Sequence, residues 1–191
     1  MEKPPDARQL IASSRFLSLV LRHQPEIIGL KLDPQGWAKV DDLLECLQKA
    51  QKTMSLELLK YLVETNPKKR FAFDESFSRI RANQGHSLEI DLGYEPQKPP
   101  SLLFHGTAVQ NWPFIEQEGL RKMSRQHVHL SLDMPTAIKV GQRHGKVIVL
   151  EVLAGEMWEA GFAFFLSENQ VWLTEFVPSK YIRLHPSYEV K

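Results

Sequence analysis

Residues 94–101 read YEPQKPPS, and this run decides how the whole chain is read. Each proline fixes φ and removes a backbone donor, so three of them with Glu95 and Lys98 favour an extended surface connection. On either side of it the apolar period changes. Before it, apolar residues recur at helical spacing; after it, short alternating runs take over. The expected organisation is therefore a lobe over 1–93, a proline-rich linker over 94–100 and a second lobe over 101–191.

Working back from the linker, RFAFDESFSRIRA (residues 70–82) reads as two strands around the polar turn Asp74–Ser76. Ahead of it lie three helical patterns. Residues 8–23 carry Leu10, Phe16, Leu17, Val20 and Leu21, and end where Pro25 pushes Gln24 out of the α region. Asp42 and Glu45 form a capping-box pattern for a second helix starting near Asp42. A third follows Ser55 and stops at Asn66–Pro67, and DPQGW (residues 33–37) is a tight turn. Three helices and a hairpin suggest a winged-helix module.

Working forward, SLLFHGT, HVHLS, KVIVLEVL, GFAFFLS, QVWLTEF and YIRLH are short runs rich in Val, Ile, Leu and Phe. Only residues 108–118, closed by Gly119, and residues 135–143 look helical. The fold class is α+β, with a mixed or antiparallel β second lobe and no doubly wound sheet.

Composition narrows the function classes. The formal net charge is +1, so a polyanion must be met by local clusters: Lys68–Lys69–Arg70, Arg79 with Arg81, and Arg121–Lys122 with Arg125. Each cluster taken singly reads as a solvated turn. Cys46 is the only cysteine, on the apolar side of a helix, which excludes an internal disulfide and a Cys-based zinc site. The segment MEKPPDARQL lacks the apolar core of a signal peptide, and no run is long enough to span a membrane. A cytoplasmic protein is expected.

Several motifs fail. No GxGxxG opens a helix after a strand, and GQRHGK (residues 141–146) is too short for a P-loop, with Val147 where Ser or Thr is required. His127 and His129 share a strand face, but no carboxylate or further histidine lies at ligand spacing, so no metal is expected. No GxSxG elbow occurs, and Cys46 lacks the context of a nucleophile.

Four phrases remain unexplained by patterning: LSLVLRHQPEIIGL…GW, KKRF, RANQGHS, and FHGT with RQHVHLSLD. Each sets polar or glycine residues beside core-like runs, as functional sites do when carried on a scaffold. In this order, from about Leu17 to Ile182, they resemble the NAD-dependent RNA 2′-phosphotransferase family, known from tRNA splicing. The resemblance implies an N-terminal winged-helix lobe and a C-terminal lobe of the ADP-ribosyltransferase type. It also implies NAD as co-substrate, no metal, and 2′-phosphorylated RNA as partner.

Carried over residue by residue, the family's phosphate-handling tetrad falls on Arg22, His23, Arg70 and Arg125. The NAD-binding histidines fall on His105 and His129, with Thr107 and Ser131 as further polar groups. Gly106 is read as a point of close backbone approach to the ligand. The third position of the superfamily triad, often glutamate, falls on apolar Val171, with Glu175 four residues on. Arg81, Gln84 and His86 of RANQGHS are placed near the RNA or the lobe interface.

The implied reaction has two steps. The RNA 2′-phosphate attacks C1″ of the nicotinamide ribose, and the ribose 2″-hydroxyl then attacks the phosphorus. The products are RNA with a 2′-hydroxyl, nicotinamide and ADP-ribose 1″,2″-cyclic phosphate. His23 is the tetrad member able to move a proton near neutral pH, as acid for the leaving 2′-oxygen or as base for the 2″-hydroxyl. Two rival readings stand beside this one: an ADP-ribosyltransferase acting on another acceptor, and a non-enzymatic winged-helix binder of nucleic acid. The sequence is silent on protein partners and oligomeric state.

Overall fold

The computed structural model describes residues 6–188; positions 1–5 and 189–191, the outer ends of the two expected lobes, lie outside the described residues. The chain divides into two compact units, Met1–Gly93 and Tyr94–Lys191.

In the first unit, α1 (Ala7–Arg22) starts at Asp6, whose carboxylate accepts from the Arg8 N–H at 3.3 Å. It ends where the N–H groups of His23 and Gln24 both donate to the Leu19 carbonyl, at 3.0 and 2.9 Å. Pro25 then opens a 3₁₀ turn, Pro25–Ile28, closed by Gly29 in the left-handed region. Leu17, Val20 and Leu21 are fully buried and carry the core face of α1. In DPQGW the Asp33 carboxylate accepts from the N–H groups of Gln35 and Trp37, both at 2.9 Å, so the turn is an Asx turn.

The remaining elements are β1 (Ala38–Lys39), α2 (Val40–Lys49), α3 (Leu56–Glu64), β2 (Phe71–Phe73) and β3 (Arg79–Ala82). The strands pair antiparallel in the order β1-β3-β2, with the buried Ile80 between Ala38 and Phe73. Ser55 caps α3 by accepting from the Leu58 N–H, as its position suggests. The expected capping box does not start α2. That helix begins two residues before Asp42, because the pairing of β1 with β3 fixes the entry, and Glu45 instead bridges Lys49 one turn on. Two-residue β1 was too short to show a period.

The second unit contains β4 (Leu103–Ala108), α4 (Trp112–Glu118), β5 (Leu120–Arg121), β6 (Val128–Leu130), α5 (Met134–Gly141) and β7 (Val147–Val152). It continues with α6 (Ala154–Glu159), β8 (Phe165–Leu166), β9 (Trp172–Thr174), β10 (Phe176–Val177) and β11 (Ile182–Leu184). Pairing is antiparallel throughout the described strands, in the orders β11-β7-β4, β6-β9-β8 and β10-β5. Phe104 and Ser131 exchange two backbone hydrogen bonds, at 2.8 and 2.7 Å, and so join β4 to the end of β6. Leu103, Leu130, Leu150, Met157 and Phe164 lie at the centre of the core. The expectation of only two helices here is corrected by α6, which spans six residues and contains Gly155, too short and too mixed to display a helical stripe.

Residues 94–100 form no regular element, yet the segment is fastened. The Gln97 N–H donates to the Phe164 carbonyl at 2.8 Å, Lys98 meets Glu159 at 3.0 Å, and Pro99 is buried. No described helix is long and apolar enough to cross a membrane.

Candidate active site

In the first unit the end of α1 gathers the cations. Ser14, Ser18 and Arg22 recur at a spacing of four, so they line one face of the helix. Arg70, which directly precedes β2, lays its guanidinium against this face and donates to the Ser14 hydroxyl at 3.3 Å. Arg22 donates to the Arg70 carbonyl at 3.4 Å and stacks its guanidinium over Phe71, 5.9 Å from the ring centre. His23 lies half-buried next along, its Nδ1 3.0 Å from the Ser87 hydroxyl. Arg22, His23 and Arg70 are thus brought together by α1, the start of β2 and residue 87. The negative end of the helix dipole favours the Arg22 cation, but charge-assisted donation to an anion comes from the side chains.

Behind this pair sits His86, 1% exposed. Its ring lies near Gly36, where an added Cβ would come within 3.5 Å of Nε2. Burial pushes its pKa down to about 4, and the charges of Arg22, His23 and Arg81 push the same way. A neutral, enclosed imidazole here lies against the end of α1. Arg81 stacks on Trp37 at 4.5 Å and donates to the Leu92 carbonyl at 3.4 Å. Its neighbour Arg79 lies over the same ring at 5.3 Å. Gln84 is half-buried in the same segment.

In the second unit β4 carries His105, Gly106 and Thr107. Nδ1 of His105 lies 3.0 Å from the His129 carbonyl, which can only accept, so Nδ1 carries the proton and Nε2 is the acceptor edge. Burial holds this imidazole below its usual range, helped by the charges of Arg125 and His144 and opposed by the carbonyl bond. His105 is therefore neutral near pH 7. It lines a cavity of about 390 Å³ together with Thr107, Asn111, Phe114 and Met123, among others. The Asn111 amide donates to the Thr107 hydroxyl at 3.0 Å. Phe114 and Met123 are 68% and 84% exposed, an apolar rim above polar groups.

His129 on β6 points its Nδ1 at the His127 carbonyl, 3.0 Å away, so Nδ1 donates here too. Ser131 contributes its backbone to the join with Phe104. Arg125 sits on the exposed loop before β6, near enough for its charge to act on His105. Val171 lies just ahead of β9, its N–H and carbonyl both bonded to Ser167. Glu175, exposed between β9 and β10, meets Lys122 at 3.4 Å. His127 packs edge-on against Phe165 at 5.7 Å, and no cluster of three or more His, Cys, Asp or Glu suited to a metal occurs among the described residues.

Gly106 has a different explanation from close ligand approach. A Cβ there would lie 1.8 Å from the Ala137 carbonyl oxygen, and one at Gly141 would lie 2.7 Å from the Gly106 carbonyl carbon. The bare face of Gly106 is filled by the backbone of α5. Sequence reasoning also passed over Asn111 and Ser87. Ser87 stood inside RANQGHS, a phrase already marked as polar beside core, but its partner His23 is far away in sequence.

The family model described as RNA 2'-phosphotransferase, Tpt1 / KptA family, matches residues 8–176. A Flavobacterium johnsoniae protein named probable RNA 2'-phosphotransferase is 54% identical over 169 residues, covering 88% of this chain and 93% of its own. Proteins of the same name from Fusobacterium nucleatum and Herpetosiphon aurantiacus are each 50% identical, over 88% and 94% of this chain and 95% and 98% of theirs. The chain belongs to the RNA 2'-phosphotransferase family.

Proposed function

We propose that the protein removes an internal 2′-phosphate from RNA by transferring it to NAD, in a reaction that uses no metal. The observation that carries this reading is the gathering of Arg22, His23 and Arg70 at one helix end in a member of this family. The first unit is read as a winged-helix lobe and the second as an ADP-ribosyltransferase-type lobe. The single cysteine favours a reducing compartment, and the cytoplasm is the proposed location.

The second unit offers a fit for part of a dinucleotide. Its cavity of about 390 Å³ combines the Nε2 edge of a neutral His105, the Thr107 hydroxyl and an apolar rim at Phe114 and Met123. A concave, mostly apolar pocket with a few fixed polar groups is the usual design for such ligands. NAD, when bound, supplies an anomeric carbon bearing a good leaving group. His105, Thr107, His129, Ser131 and Val171 would hold it, and Gly106 keeps β4 seated.

The RNA phosphate is already anionic, so the first step demands positioning and not deprotonation. Arg22, Arg70 and Arg125 supply it, and guanidinium forks match phosphate oxygens bidentately. The second step builds charge on the phosphoryl group and expels the RNA 2′-oxygen, a poor leaving group. Cationic donors answer the first demand, each worth about 2.7–4 kcal/mol of barrier when well placed. His23 answers the second as general acid, because the arginines do not release protons in this range. Arg81 and Gln84 are placed toward the RNA backbone.

The test is incubation of the full chain with a short 2′-phosphorylated RNA, with and without NAD and with EDTA. Nicotinamide release and a 2′-hydroxyl product are expected only with NAD, and unchanged by EDTA. Dephosphorylation without NAD, or its loss on chelation, refutes the reading.

A further inference from the structure

The segment GQRHGK (residues 141–146) fails as a P-loop, yet it brings a run of cations to the second unit's cavity wall. After α5 the chain makes a short 3₁₀ turn, Gln142–His144, and bends at Gly145, where φ is +131. The Val109 N–H donates to the Lys146 carbonyl at 2.8 Å. A Cβ added at Gly145 would lie 3.7 Å from the Ala108 Cβ and 3.8 Å from Oε1 of Gln110. The loop thus packs on the end of β4, beside the segment that carries Asn111 into the cavity wall. The charges of His144 and Arg125 both bear on His105, so the loop and Arg125 lie near the same histidine.

Lys139, Arg143, His144 and Lys146 are all exposed, and none has an ion pair among the described residues. By contrast Arg121 meets Glu118 at 3.1 Å and Lys122 meets Glu175 at 3.4 Å. No Asp or Glu occurs between Asp133 and Glu151. Asp133 caps the far end of α5, and Glu151 sits toward the other end of β7, 3.7 Å from His185. The dipole of α5 accounts for Lys139 in its last turn, but Lys146 lies beyond the helix.

We propose that Lys139, Arg143, His144 and Lys146 form a docking surface for the phosphodiester backbone of the RNA substrate, flanking the 2′-phosphate that is removed. The inference rests on the function proposed above. Backbone phosphates recur along a strand and are met by side chains that fix its register without reading its bases. Long, uncompensated cations open to solvent suit that task, because each phosphate they neutralise releases condensed counterions. Arg143 can grip a phosphate with two parallel donors, while the lysines act as point charges. The diphosphate of a dinucleotide is a poorer match. It presents its charge at one place, whereas these cations spread from the last turn of α5 to the start of β7.

Binding of a long single-stranded RNA with one internal 2′-phosphate would be measured on the full chain by fluorescence anisotropy, without NAD and over a range of salt. Each contact to a single-strand phosphate contributes about 0.7 to the slope of log affinity against log salt. The double variant Arg143→Ala, Lys146→Ala should therefore flatten the slope by about 1.4, and Arg143→Lys should keep the native slope. Both side chains are exposed, so the urea midpoint should stay native. Should the double variant be unstable, Arg143→Ala alone decides, with a loss of about 0.7. In turnover KM for the long RNA should rise more than KM for a 2′-phosphorylated trinucleotide, which presents fewer phosphates, and KM for NAD should hold. A native slope in the alanine variants, or equal losses for the long RNA and the trinucleotide, overturns the proposal. A raised KM for NAD with RNA binding intact assigns the loop to the dinucleotide and overturns it as well. If the native protein releases no nicotinamide, it is the function reading that falls, while the salt slopes still judge the loop.

Discussion

Replacing Gly106 by alanine separates two accounts of that residue. The added Cβ would sit 1.8 Å from the Ala137 carbonyl oxygen, where ordinary contacts begin near 3.4 Å, so β4 and α5 must part by roughly 1.6 Å. The obstacle is helix backbone, which has no rotamer to change. Overpacking of a tight interface costs about 1–3 kcal/mol, and a backbone clash belongs at the upper end. With an m-value of about 1–3 kcal/mol/M, the urea midpoint should fall by roughly 1–3 M. Tryptophan fluorescence reports on the correct region, because Trp112, Trp158 and Trp172 all belong to the second unit. His105 and Thr107 flank the clash, so activity should fall in parallel with stability. An unchanged midpoint with lost activity would refute the packing argument and return Gly106 to ligand approach.

Two further outcomes follow from the site. His23→Ala should accumulate ADP-ribosylated RNA, seen as a slower band on a denaturing gel, because loss of a proton donor typically costs about 10²–10⁴-fold in rate; equal loss of nicotinamide release and product, with no such band, contradicts the assignment of His23 to the second step. For His86, the folded pKa of about 4 lies below the ordinary 6.5, so the unfolded chain binds the proton first as pH falls. Stability should drop by roughly 3 kcal/mol between pH 6.5 and 4, at 1.36 kcal/mol per unit, and His86→Gln should flatten that slope in urea titrations; parallel slopes for the two proteins would show that His86 does not titrate this way.

Much of the architecture could be read from local chemistry. The stop at Pro25, the Asx turn at Asp33, the Ser55 cap and the Phe71–Ala82 hairpin all depend on residues within a few positions of one another. Very short elements were invisible: β1 and β5 take their form from strand partners distant in sequence, and α6 spans only six residues. The Asp42 capping pattern was real as a pattern but lost to strand pairing at Ala38 and Lys39. The same division holds at the site. Arg22 and His23 announced themselves by standing at a helix end, and His105 and His129 by their phrases. That His105 is oriented by the His129 carbonyl, that His86 is enclosed, and that α5 fills the bare face of Gly106 are facts of long-range packing.

The join between β4 and β6 differs in kind from the ladders around it. Along its other edge β4 pairs with β7 over six residues, from Leu103 to Ala108. Toward β6 it has the paired bonds of Phe104 and Ser131 and the single bond from His105 to the His129 carbonyl. A sheet fastened so unevenly has a preferred line of parting, and here that line runs beside His105 and His129. Amides on the β7 side of β4 should resist deuterium for long times, whereas those of Phe104 and Ser131 should exchange through brief local opening. The cavity lined by His105 thus rests on a strand with one firm edge and one edge free to open.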